Sequence, residues 1–159
     1  MNQLQPKYRL LQEDELKELE TEFVHFLVVN GIVAEDWEKM KKEDPENANK
    51  MLLLFSDVAL EGSLRKIEYV EHRVKNKLHI IRCFEDKMVL IGISSDNDSV
   101  DFMNPDNLQK SMDNPTKGVE VYTSEKKYEV TREMDIFKMT QSGFLISDGR
   151  LFKKLCLFL

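Results

Sequence analysis

Apolar residues recur every three or four positions over 13–29, at Leu16, Leu19, Phe23, Phe26 and Leu27, and predict one helix whose stripe faces a core. Asn30 and Gly31 follow, and glycine's ease in the left-handed region marks the end of that helix. A shorter helix is predicted over 34–43, with Trp37 and Met40 on one side and charge elsewhere. A third starts at Asp44 and Pro45: the carboxylate can accept from free N–H groups of the first turn, where proline has none to leave unpaired. It continues through Met51, Leu52, Phe55, Val58 and Ala59 and ends within 62–66. The run "MLLLFSDVAL", apolar nearly all round at its start, marks it as the most buried of the three.

After Lys66 the period becomes two. "KIEYVEHR", "KLHIIRCF" and "KMVLIGI", separated by "VKNK" and "FEDK", predict three consecutive antiparallel strands. The third run is apolar on both faces and is expected in the middle of the sheet or under helices. "SSDNDS" reads as a turn, 104–112 as a short helix, "DNPTKG" as a loop and "VEVYT" as a fourth strand. Thr131 can cap a helix over 132–142, with Met134, Phe137 and Lys138 along it and Gly143 ending it. The ending "FLISDGRLFKKLCLFL" fits a strand and a short helix, or two strands. The expectation is an α+β fold over 1–159 as one globular domain. A helical part at about 10–65, three helices, packs on a small antiparallel sheet, and a part at about 66–159 closes with a helix and an apolar tail.

The 159 residues, 42% hydrophobic and 33% charged, suffice for a core without staples, since a chain this long buries roughly 70% of its unfolded surface. Two cysteines, Cys83 and Cys156, have neither disulfide-framework nor zinc-ribbon spacing and are expected as reduced thiols. "MNQLQPKYRLLQEDELKELE" lacks the apolar region of a secretory signal, and no run approaches the roughly 20 apolar residues of a membrane helix. A cytoplasmic protein with no membrane partner is expected. The net charge of −6 is uneven: 11–50 holds twelve acidic and five basic side chains, −7, and the other 17 acidic and 18 basic side chains give +1. An acidic helical segment disfavours nucleic acid and steers a basic partner, or is simply a solvated face.

Candidate chemistry centres on Ser56, Asp57 and Glu61 of the third helix, with Glu68, Glu71 and His72 just beyond it. Asp57 and Glu61 stand four apart on one helical face, as a metal or a shared proton would need, but Arg65 and Lys66 are also within helical reach as ion-pair partners. His79 and Cys83 share a strand face with Ile81, and His72 on the neighbouring strand would complete a His2Cys group. Zinc-site spacing is absent, however, and a core cysteine beside half-buried histidines is the stronger reading. "DNDSVD" fails as a calcium loop, because Val100, Asp101 and Asn107 occupy the fifth, sixth and twelfth positions. No phosphate-binding glycine pattern, G-x-S-x-G or cysteine-protease signature occurs. Lys75 with Lys77, and Lys126 with Lys127 beside Tyr128, neutralise too few phosphates for nucleic-acid binding. No cofactor and no metal is expected.

The segments "YRLL", "LKELETEFVHFLVVNGIVAEDWEKMK", "FSDVALEGSLRKIEYVEH" and "DIFK" resemble a family of small uncharacterised Bacteroidota proteins that carries a domain-of-unknown-function label. The resemblance spans most of the chain, is best over 8–72, and rests on Tyr8, Phe23, Phe26, Leu27, Gly31, Trp37, Phe55, Ser56, Asp57, Glu61, Lys66, Tyr69, Glu71 and His72. Leu60 departs from a family tryptophan. Gln12 departs from a Thr or Ser cap, a loss of about 1 kcal/mol. The resemblance implies no reaction, ligand or partner.

It does bear on the ending, where Cys156 to Leu159 matches the C-a-a-X prenylation rule behind Lys153 and Lys154. A bacterial chain meets no prenyltransferase, and Leu151, Phe152, Leu155, Cys156 and Phe158 or Leu159 continue a helix stripe, either core or subunit interface. The preferred function is a non-enzymatic cytoplasmic protein-interaction or adaptor module, with a protein or a second copy as partner. The alternative is a small enzyme or a ligand- or metal-binding domain using Asp57, Glu61, Glu71 and His72, with Ser56 beside them. No residue is assigned a catalytic role.

Overall fold

The computed structural model describes residues 4–114 and 118–159; three residues of the predicted loop "DNPTKG", 115–117, lie outside the described residues. The fold is α+β, and the chain forms two compact units, Met1–Ser63 and Leu64–Leu159.

The first unit carries α1 (Glu13–Glu18), α2 (Glu20–Val29), α3 (Ala34–Glu43) and α4 (Pro45–Arg65), whose last turn crosses the boundary. The helix predicted over 13–29 is thus interrupted at Leu19 (φ −101°, ψ 20°). The hydrogen bonds Leu19 N–H to Glu15 O and Phe23 N–H to Leu19 O persist across the break, so the apolar spacing runs on undisturbed and conceals it. The missing Ser or Thr cap at Gln12 is offset by Glu15, whose carboxylate accepts from the Gln12 N–H at 3.0 Å and takes the Arg9 guanidinium in a two-pronged pair at 2.7 and 2.9 Å. The Arg9 hydrogen bond, then the Gln12 one, holds the Glu15 pKa down at about 2.

Phe23 meets Trp37 edge-on at 5.2 Å and Phe55 at 5.0 Å, and Phe26 meets Phe55 at 5.4 Å, so α2, α3 and α4 share an aromatic centre. Gly31 ends α2 at φ 77°, the left-handed conformation expected of it. As expected, α4 is the most buried of these helices: Ala48, Phe55 and Ser56 are buried on it, against Leu27 alone on α2 and none on α1 or α3, while its Leu54 and Val58 are 43% and 59% exposed.

The second unit is built on one antiparallel sheet in the order β4-β3-β2-β1-β5. Its strands are β1 (Tyr69–Val74), β2 (Lys77–Cys83), β3 (Lys87–Ser95), β4 (Val119–Lys127) and β5 (Leu145–Ser147). The predicted meander is present, and β3, apolar on both faces, is an inner strand as expected. The short β5 adds to the free side of β1, where no sequence signal placed it. Helices α5 (Pro105–Asp113), α6 (Arg132–Gln141) and α7 (Arg150–Cys156) complete the unit. Asn104 and Thr131 cap α5 and α6 by accepting from Asp106 N–H at 2.9 Å and Met134 N–H at 3.1 Å.

Tyr69, Leu78, Ile80, Ile91 and Ile93 form one face of the sheet and pack with Phe102, Leu108 and Met112 around α5 and with Phe152 and Leu155 of α7. Full burial of such side chains stabilises by about 1.5–3 kcal/mol each. The C-terminal stripe stops at Leu155: Cys156 is exposed, and Leu157, Phe158 and Leu159 are 83%, 42% and 60% exposed, so only the start of the tail is core. At the other end of the sheet the Arg132 guanidinium donates to Leu64 O at 3.2 Å, Cys83 O at 3.3 Å and Ile67 O, tying the start of α6 to the approach to β1 and the end of β2. Among the described residues no helix is long and apolar enough to cross a membrane.

Candidate functional site

Ser56, Asp57 and Glu61 lie on one side of α4, and each meets the segment 7–11. The Asp57 carboxylate accepts from the backbone N–H of Lys7 at 2.8 Å and of Tyr8 at 3.1 Å. The Ser56 hydroxyl, fully buried, accepts from Leu11 N–H at 3.0 Å and donates to Leu52 O at 2.7 Å. Glu61 pairs with the Lys7 ammonium at 3.2 Å and accepts from the Tyr8 hydroxyl. Tyr8 and Leu11 are buried by this docking. Three side chains with the spacing of a binding site therefore hold an irregular segment to its own helix. The backbone N–H groups of that segment have no strand or helix to satisfy them, so α4 supplies their acceptors.

Glu71 and His72 are neighbours on β1, and alternation sends them to opposite faces of the sheet. Glu71 shares the α5–α7 face with Arg73, 3.6 Å away, and the two do not form a site with His72. The five sequence candidates are therefore not one constellation.

His72 sits on the other face in an unexpected row. It pairs across strands with His79, which pairs with Gly92, which pairs with Tyr122. A Cβ on Gly92 would lie 2.4 Å from the Tyr122 ring, so the bare glycine is what lets Tyr122 lie across β3 and bring its hydroxyl to 2.6 Å from His79 Nε2. Burial first, then Lys77 and His72, lowers the His79 pKa below the ordinary imidazole value, so the neutral ring accepts and the Tyr122 hydroxyl donates. Burial, then Glu120, raises the Tyr122 pKa. His72 itself lies against Phe144, with ring centres 5.2 Å apart. Cys83 is four residues from His79 along β2, about 13 Å in a strand, so the envisaged His2Cys group does not form. Burial pushes the Cys83 thiol up to about 11, which leaves it unreactive at neutral pH.

Beside this row, on the same face, Ile81 pairs with Leu90 and Leu90 with Ser124. These residues, Met88 and Met139 of α6 form the floor and wall of an open cavity of about 330 Å³, rimmed by Lys126, Glu129, Asp135 and Lys138. The buried Asp135 carboxylate accepts from Glu129 N–H at 2.7 Å and Val130 N–H at 3.2 Å, and Lys126 pairs with Glu129 at 2.6 Å. The apolar floor thus has a polar rim already largely engaged with itself. A second hollow of about 560 Å³, near the end of β2, is lined by charged side chains including Arg65, Lys66, Arg82 and Arg132. There Arg82 stacks on Phe84 at 4.4 Å and Arg132 is committed to carbonyls.

Gly92, Tyr122 and Met139 are the residues that sequence reading missed. A glycine inside "KMVLIGI" was the available signal, since glycine within a strand often marks a close approach. Among the described residues no group of three or more His, Cys, Asp or Glu side chains is placed to hold a metal ion. The chain belongs to a family of unknown function, DUF6495, whose model matches residues 4–159. No curated protein and no solved structure matches it significantly.

Proposed function

We propose that this protein is a non-enzymatic protein-interaction or adaptor module, and that its partner seats an apolar side chain in the cavity between the sheet and α6. The observation that carries this reading is the apolar floor of Ile81, Met88, Leu90 and Met139, left open to solvent on a sheet face. The acidic first turns of α1, α2 and α3 would steer a basic partner toward the molecule without tight contact. A cytoplasmic setting in Bacteroidota bacteria goes with this reading. It is supported by two free thiols and by the sequence segments that resemble that family.

Affinity purification from native cells at low salt tests the proposal with the wild-type chain, Met139→Glu, and the pair Glu35→Lys with Asp36→Lys. Melting curves first establish that each variant is folded. A partner retained by the wild type, lost by Met139→Glu and only weakened by the helix reversal is expected. An unchanged partner set with Met139→Glu, or no partner above background, overturns it.

The volume of the same cavity favours a second reading, a small ligand-binding domain, because small-molecule sites begin at about 300 Å³. The enzyme alternative based on Asp57, Glu61, Glu71 and His72 finds less support, since none of the four lines this cavity and two of them face apart.

A further inference from the structure

The β4 edge of the sheet has a chemistry of its own beyond the cavity reading, although Ser124 and Lys126 of β4 also line the cavity. β4 is outermost and nine residues long, six of them exposed, and among the described residues nothing pairs with its outer side. Its register with β3 determines which backbone groups are spare. Asp96 N–H donates to Gly118 O, and hydrogen-bonded pairs alternate from there, so the even-numbered residues of β4 turn their backbone groups to β3. The odd-numbered ones, from Val119 through Thr123 to Lys127, turn N–H and C=O outward. No proline interrupts them and no β-bulge breaks the register with β3.

We propose that this edge pairs with the same edge of a second copy, antiparallel about a two-fold axis through Thr123, joining two five-stranded sheets into one. Charge complementarity identifies the occupant. Glu120 and Lys126 stand three residues before and three after Thr123, so the two-fold puts Glu120 of each copy opposite Lys126 of the other. Both are even-numbered and lie on the same face, in the non-hydrogen-bonded position where opposed side chains come closest. Val121 then opposes Glu125, Tyr122 opposes Ser124, and the odd-numbered pairs exchange backbone hydrogen bonds. A register shifted by one residue sets opposite faces together, and a shift of two leaves no acid opposite a base. The present Lys126–Glu129 pair, with both side chains about two-thirds exposed, is cheaply exchanged for the new one.

Sedimentation equilibrium of the full chain at low salt is expected to give twice the 18.7 kDa of one chain. Glu120→Lys places like charges opposite one another and is expected to halve the observed mass. Adding Lys126→Glu to it restores complementarity and the dimer. Thr123→Pro removes an outward N–H and no backbone ladder bond to β3, though it loses the side-chain hydrogen bond from the Thr123 hydroxyl to Leu90 O at 2.9 Å, and is expected to give a folded monomer with a small drop in melting temperature. A monomeric wild type, a dimer indifferent to both single substitutions, or a charge-swapped double variant that stays monomeric each overturns the proposal. Partner capture by the α6 cavity is read in a different assay, so either proposal can fail without the other.

Discussion

In the first unit Ser56, Asp57 and Glu61 point at residues 7–11, and each accepts a hydrogen bond from them. In the second unit His72, His79 and Tyr122 line up across an open sheet face beside a cavity whose floor is apolar. The first group looks more like a site in the sequence, with carboxylates spaced by four on a helix and a serine beside them. Its geometry is that of a clasp: a helix presenting acceptors to a segment that has no secondary structure to satisfy its own amides. The second group is scattered over 72–139 and shares no motif, yet it is the one that leaves surface open to another molecule. Spacing along a chain identifies which side chains can cooperate; it does not say whether they face the chain itself or something else.

The largest expected effect breaks the clasp. Asp57→Ala removes the acceptor of two backbone N–H groups and should destabilise the first unit by about 3 kcal/mol, because hydrogen bonds to a charged group contribute roughly 1.5–3 kcal/mol each and the amides left behind lose their partners. Trp37, the single tryptophan, lies in that unit and reports its unfolding in urea by fluorescence. In the second unit, Arg132→Met leaves Leu64, Ile67 and Cys83 carbonyls without this donor, and a loss of about 2 kcal/mol is expected from far-ultraviolet circular dichroism melts.

Gly92→Ala sharpens the comparison on the other side. The new methyl displaces the Tyr122 ring from His79, at an expected overpacking cost of about 1–2 kcal/mol. Tyr122→Ala in the same chain should remove most of that added cost, so the two changes will be strongly non-additive. Additive losses would mean that the ring does not need the bare glycine.

The smallest effects are those of pH, and the two units should show them in different windows. His79 has its pKa lowered on folding, so the stability tied to its neutral form is fully present above the ordinary imidazole value and is lost as pH falls below it. Glu15 has its pKa lowered to about 2 by Arg9 and Gln12, so its contribution is present above the ordinary carboxylate value of 4.5 and is lost as pH falls toward 2. Melting temperatures followed from pH 7 to pH 3 should therefore fall first through the second unit. His79→Gln should abolish that first decline and leave the later one.

Much of the fold was legible because its signals are local. The caps at Asn104 and Thr131, the Asp44–Pro45 start of α4 and the period-two runs of β1 to β3 each need only a few adjacent residues. What escaped depends on distant partners. Leu19 keeps the apolar spacing through a one-residue distortion, β5 was open to reading as a strand but not its place beside β1, and the end of the C-terminal stripe at Leu155 depends on where the core stops. Of the candidate site, the residue types at 56, 57 and 61 were visible and their service to the segment 7–11 was not. His72 was placed on the strand beside that of His79, as it is, but the continuation of that row through Gly92 to Tyr122 was not visible.

Amide hydrogen exchange on wild type and Asp57→Asn tests most directly whether the clasp serves the chain's own backbone. Protection at Lys7 and Tyr8 should drop sharply in the variant, with a smaller loss at Leu11, whose amide is held by Ser56, and none in the β1–β4 ladder. Unchanged protection at Lys7 and Tyr8 would contradict the clasp and return Asp57 to the list of groups free to bind something else.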